Sequence, residues 1–314
     1  MTPGTPLPSS LPSPVAVGSA AAAVSSAPAA PAVPAAPVGP DALGTPPSPP
    51  SPASPPASTA DYRRLRELCP ALDLRLLGPA DPDPAAADGW HTGAELATDE
   101  RALAAALAGE EDRIAAAHGR APRPHVTASR LLHHYAWSAC LLIAGPWHLA
   151  RQVPDLTPAD LWLHTPSGDL ALRPRPHLAL PPLPPPGEDE LRAELRAAVV
   201  AHLEPLVAAF AGPTRRRDRA LWGMVTDDLA SALWYLGRML GEEDAAVAAA
   251  AAVLPGGTLP LPGAADFRRL HTPDGRAHHT RTRLGCCLYY AVSPAAEACL
   301  TCPRTCDEER LRRL

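Results

Sequence analysis

The sequence contains no lysine. All 28 basic residues are arginine, set against 33 acidic ones for a net charge of −5. No global basic field is present to recruit nucleic acid or a membrane surface. Aromatic residues make up only 4% of the chain, too few for a base-stacking platform. A Gly-x-Gly-x-x-Gly loop and a flavin-site signature are also missing, which argues against direct uptake of electrons from NAD(P)H. Residues 1–60 lack aromatics and carry a single charged side chain, Asp41, yet hold 17 of the 42 prolines. So little apolar surface does not offset the entropy of ordering, and a disordered, partly polyproline-II tail is expected there. The Ala/Val run from Pro14 to Ala27 has no positively charged n-region and reads neither as a signal peptide nor as a membrane span. A soluble, cytoplasmic protein is expected. The arginine-only basic set, with abundant Ala, Pro and Gly, fits GC-rich coding rather than a functional demand.

Roughly 250 residues remain, enough for one large domain or one domain with a small module. "DYRRLRELCPALDLRLL" predicts a short helix ended by Pro70 and then an extended piece. "TDERALAAALAGEEDRIAAAHG" predicts a helix capped by Thr98 and stopped at Gly119. "TASRLLHHYAWSACLLIAGPWHLA" predicts a buried helix, kinked or ended near Pro146. Alternation of Trp162 and His164 with Leu170 and Leu172 about a Thr-Pro-Ser-Gly-Asp turn predicts a hairpin, followed by a proline-rich linker, "PRPHLALPPLPPPG". Two long helices follow, "EDELRAELRAAVVAHLEPLVAAFA" and a second from Thr214 to Leu240, then an Ala-rich helix from Glu242 to Leu254. In the second, Trp222, Val225, Leu229, Leu233, Leu236 and Leu240 recur at helical spacing on one apolar face. The fold class is mainly α with a small β element (α+β). The expected division is a tail over 1–60, a helical body over 61–280, and a cysteine-rich C-terminal segment over 281–314.

That last segment holds five of the seven cysteines, in "GCCLYYAVSPAAEACLTCPRTC". A disulfide framework suits small secreted domains, and neither export nor a deficient core is indicated. Covalent catalysis uses one thiol and a base, not five clustered thiols. Structural zinc usually draws on two C-x2-4-C knuckles. Cys299 and Cys302 make one knuckle, but neighbouring Cβ atoms diverge, so Cys286 and Cys287 fit poorly on one small ion. Two metal centres relax that constraint. Zinc remains the rival reading and an iron–sulfur cluster the favoured one.

The spacing C-C-x11-C-x2-C, with Leu288-Tyr289-Tyr290 after the doublet and Pro303 after the last cysteine, resembles the C-terminal signature of the FhuF-like ferric-siderophore reductases. "RALWGMVTDDLASAL" and "SRLLHHYAWSACLLIAGP" resemble two helices of that family. The family's usual gap is one residue shorter, and Met224 stands where a polar residue is usual. The resemblance implies a [2Fe-2S] cluster on Cys286, Cys287, Cys299 and Cys302, with Cys306 as a substitute ligand. It also implies one-electron reduction of a ferric siderophore in iron acquisition, fed by a donor of ferredoxin or flavoprotein type. Two alternatives stand beside it: a metallophore-binding protein with a structural zinc site made of four cysteines, and an electron carrier with another acceptor.

Beyond the cysteines, Arg215, Arg216, Arg217 and Arg219 form a basic run read as the start of the helix from Thr214, and with Trp222 they are candidates for docking substrate or donor. Trp222 and Trp234 share that helix's apolar face, where a core role is expected. The pairs His133-His134 and His278-His279 read as packing or solvent-exposed residues, and Cys69 and Cys140 as buried core thiols.

Overall fold

The computed structural model describes residues 59–70, 72–175, 186–293 and 297–313. The expected tail up to residue 58, and residues 176–185 of the proline-rich linker, lie outside them.

The core is built on one helix. α4 (Pro124–Ala150) is apolar around its whole circumference from Leu131 to Ala144, and nearly every side chain there is buried. A helix of that kind belongs in the centre of a domain. Around it pack α1 (Thr59–Leu68), α3 (Glu100–His118), α5 (Glu188–Thr214) and α6 (Asp218–Leu240), while α7 (Glu243–Val253) closes the far side of α6. Pro146 does not end α4, which continues to Ala150 and stops at Arg151 in a left-handed cap. The prolyl nitrogen cannot donate to the turn below, and burial of the flanking Gly145 and Trp147 holds the helix across that gap.

The expected cap at Thr98 is displaced by one residue. Asp99 starts α3, its carboxylate accepting from the amides of Arg101 at 2.8 Å and Ala102 at 3.4 Å. Thr98 instead closes a separate short helix, α2 (Gly93–Thr98), which has its own capping box at Thr92 and Glu95. A carboxylate also gains from the positive helix end, and this favours Asp99 over the hydroxyl beside it.

The hairpin about residues 165–169 is present as β3 (Leu161–His164) against β4 (Leu170–Leu172). It is the middle of a four-stranded sheet. β1 (Leu74–Leu76) adds in parallel to β4, and β2 (Trp90–Thr92) adds antiparallel to β3. A second antiparallel pair, β5 (Phe267–His271) and β6 (Ala277–Arg281), precedes the cysteines, and a short helix, α8 (Asp307–Arg312), follows them. Among the described residues, α5 is long and apolar enough to cross a membrane by length and composition; it packs on α4 and α2.

Candidate metal centre

Two adjacent acids in the middle of α6 position the cysteine segment. Asp227 and Asp228 are fully buried in an otherwise apolar stretch. Neighbouring positions on a helix point about 100° apart, so each carboxylate serves a different element. Asp227 takes the segment that leaves β6. Its Oδ1 accepts from Arg281 Nη2 at 2.6 Å and from the Leu284 amide at 3.0 Å, while Oδ2 accepts from the Gly285 amide at 2.9 Å. Arg281 is itself fully buried and donates further to the carbonyls of Ala265 and Asp227. Asp228 takes Arg283 Nη2 at 2.8 Å and lies 2.8 Å from Nδ1 of His133 on α4. Arg283 Nη2 also approaches His133, at 3.4 Å. Burial works against the Arg283 guanidinium's charge, but Asp228 and Asp227 outweigh it and hold the group above its usual range.

Three residues beyond Arg283 the chain reaches the cysteine doublet, and there the adjacent side chains part. Cys286 Sγ lies 3.9 Å from Cys302 Sγ. Cys287 faces Cys299, and their interaction holds the Cys287 thiol well below the usual thiol range and pushes Cys299 up. Cys286 is raised to about 11, chiefly by burial. The doublet therefore addresses both cysteines of the knuckle, one each. Behind the doublet the backbone turns at Leu288, whose φ of 61° is left-handed. A leucine adopts that conformation only where its surroundings impose it; here it packs against Ile114, Val126 and Val292. The knuckle is braced by Thr305, which donates its amide to the Cys302 carbonyl at 3.0 Å and its hydroxyl to the Cys299 carbonyl at 2.9 Å. Arg310 of α8 adds bonds to the carbonyls of Leu300 and Cys302.

The structure brings together the four cysteines singled out by spacing. Cys306 is exposed and serves as the residue before α8, its side chain bonding Glu308. The histidine pairs divide. His133 is buried against Asp228, and His279 lies on β6 beside Asp244. Cys69 and Cys140 are buried as expected.

The basic run is not the start of α6. Arg215 is the left-handed cap of α5, Arg217 is the residue before α6, and of the four only Arg219 is helical within α6. The α5 terminus favours a cation at Arg215 rather than opposing it. Arg215, Arg217 and Arg219 are exposed; Arg216 turns inward and donates Nη2 to the Cys286 carbonyl at 2.7 Å. Trp222 is buried in the core, whereas Trp234 is half-buried and bonds Glu243.

The residues fit a two-iron group. Two thiolates on one tetrahedral metal with bonds of about 2.3 Å stand about 3.8 Å apart, which matches the Cys286–Cys302 separation of 3.9 Å. Among the described residues no three His, Cys, Asp or Glu side chains converge on a single point able to hold one ion. Arg130 of α4 provides an independent sign: its buried Nη1 has no hydrogen-bond acceptor among the described residues, and its charge reaches Cys287.

Sequence reasoning missed Asp227, Asp228, Arg281, Arg283 and Arg130. The available signal was the Asp-Asp pair interrupting an apolar helix, because buried adjacent acids require partners.

Residues 283–304 match the family model described as the FhuF 2Fe-2S C-terminal domain. No curated protein matches the chain. The matched stretch runs from Arg283 through Cys286, Cys287, Cys299 and Cys302 to Arg304, so the end of the chain is similar to a C-terminal [2Fe-2S] domain.

Proposed function

We propose that this protein reduces Fe(III)–siderophore complexes by one electron, with Cys286, Cys287, Cys299 and Cys302 as cluster ligands. The observation that carries the reading is the parting of the doublet, which faces Cys286 to Cys302 and Cys287 to Cys299. A thiolate-bound [2Fe-2S] cluster supplies reversible one-electron chemistry at low potential. The remaining work falls to this chain's own residues. Asp227 fixes the loop entering the doublet, Arg310 and Thr305 fix the knuckle, and after Cys299 the charges of His133, Arg130 and Arg283 add to the lowering of the Cys287 thiol. Cys286 and Cys299 are each partly exposed, so an outside acceptor can approach the sulfur edge. Exposed Arg215, Arg217 and Arg219 near Arg216 give that side a local positive charge, suited to an anionic chelate or an acidic donor.

The chemistry balances simply. A donor of ferredoxin or flavoprotein type gives one electron; the chelated Fe(III) becomes Fe(II), for which hard oxygen donors have far less affinity, and the chelator leaves intact. Protein purified without oxygen should be coloured, with two irons and two acid-labile sulfides per chain. Dithionite-reduced protein mixed with ferric chelates should yield Fe(II) trapped by ferrozine. Cys302→Ser should lose the colour and at least about 100-fold of the rate. Colourless protein with one zinc and no sulfide would establish the zinc alternative; a cluster that reduces no ferric chelate would leave an electron carrier with another acceptor.

A further inference from the structure

The buried charges around the cysteines pair off, with two exceptions. Glu110 takes Arg113 through bonds of 2.7 and 2.8 Å, Asp227 takes Arg281 at 2.6 Å, and Asp228 takes Arg283 at 2.8 Å. Arg130 and Arg216 form no ion pair among the described residues, although the Glu110 carboxylate that holds Arg113 also acts on Arg130 from a distance. Arg130 is 9% exposed, its Nη1 is buried without an acceptor, and its guanidinium lies 5.2 Å over the ring of Tyr289, two positions after Cys287. Arg216 approaches from the α5–α6 connection and is bonded to the Cys286 carbonyl. The two cations thus reach the doublet from different elements. A buried or half-buried guanidinium without a carboxylate of its own carries a desolvation penalty that the shared Glu110 and the Tyr289 ring at Arg130, and the Cys286 carbonyl at Arg216, offset only in part.

The bound group supplies the missing charge. A [2Fe-2S] core with both irons ferric is dicationic, and four thiolates make the whole a dianion. One electron makes it a trianion. Two arginines that lack a carboxylate of their own therefore suit the oxidised dianion and attract the reduced form more strongly still. We infer that Arg130 and Arg216 are the counter-charges of the cluster and raise its reduction potential, tuning its one-electron chemistry without touching the acceptor. The two differ in kind: Arg130 acts from a buried position that salt does not screen, and Arg216 from a half-exposed one that salt does screen. This rests on the ligand set proposed above but not on the identity of the acceptor.

The test is an anaerobic redox titration of the full chain, with dithionite as reductant and the visible and EPR spectra as readout. Arg130→Gln and Arg216→Gln should each make reduction about tenfold less favourable, a midpoint about 59 mV more negative. Raising salt to about 1 M, where the screening length falls to about 3 Å, should shrink the difference between Arg216→Gln and the unaltered protein while leaving that of Arg130→Gln. Arg130→Lys, which keeps the charge, should return most of the shift. If Arg130→Gln assembles less cluster, the midpoint is read on the loaded fraction, since it does not depend on occupancy. An unchanged midpoint in both Gln variants with iron and sulfide intact overturns the inference, as does Arg130→Lys shifted as far as Arg130→Gln. Absence of iron and sulfide from the unaltered protein would instead sink the ligand set, so the two failures are distinguishable.

Discussion

His202 shows how a single side chain is fixed by what its neighbours can accept. Its Nδ1 lies 2.9 Å from the Leu156 carbonyl, which can only accept, so Nδ1 carries the proton. Nε2 then accepts from the Tyr135 hydroxyl at 3.0 Å. Burial disfavours a second proton and lowers the imidazole from 6.5 to about 4. The unfolded chain takes that proton as pH falls below about 6.5, and the folded chain does not until about pH 4. The contribution to stability is therefore complete above about pH 6.5 and is lost as pH falls toward 4, by up to about 3 kcal/mol. Urea midpoints measured from pH 7.5 to pH 5 should fall, and His202→Phe should flatten that slope even though it lowers the midpoint at every pH. Equal slopes would place the acid sensitivity elsewhere. Nothing in the sequence around His202 foretold this, because its partners come from α4 and from the segment after it. The grouping of the C-terminal cysteines was legible for the opposite reason: their spacing is local, and local spacing is what a sequence displays.

At the scale of elements, α6 links the core to the cysteine loop. One face of it carries Trp222, Val225, Leu229, Leu233 and Leu236 into the core, as the periodicity predicted, while Leu240 at its end is only partly buried. The acids at 227 and 228 read only as breaks in that pattern, since their partners lie about 55 residues on, in the stretch after β5. The boundary between α5 and α6 was misplaced because the arginine run has good helix propensity, whereas the chain turns there through the left-handed Arg215. β1 falls in the extended piece expected after Pro70, whereas β2, three residues long, was invisible because so short a run has no period to detect. Asp227→Asn tests the link. The amide keeps one acceptor but cannot accept from both backbone amides and neutralise Arg281, so a fully buried charge is left alone. A loss of about 3–5 kcal/mol is expected, seen as a lower thermal midpoint together with less iron and sulfide per chain. A full-strength cluster in a protein destabilised by that amount would mean that Asp227 serves the fold and not the loop.

For the whole molecule, the matched stretch is short, and its own residues do not complete the site. Residues 283–304 contribute the four cysteines and Arg283, but Asp227, Asp228 and Arg216 come from α6 and the connection before it, and Arg130 and His133 from α4. The family signature therefore marks where the sulfur is, while the helical body supplies the charge and the hydrogen bonds that hold it. A peptide covering residues 277–313 has every sulfur of the proposed ligand set and none of those partners. Given iron and sulfide without oxygen it should take up a cluster, since thiolate chemistry alone permits that. The loss of outer partners should then weaken its hold by about 10–100-fold, read as faster bleaching of the visible bands by an iron chelator than in the full chain. Removing only the buried positive charge is the informative comparison: the full chain carrying Arg130→Gln and Arg216→Gln together should bleach at a rate between the two. A peptide that holds its cluster as long as the full chain would show that the knuckle and the doublet suffice, and that the body serves only the acceptor.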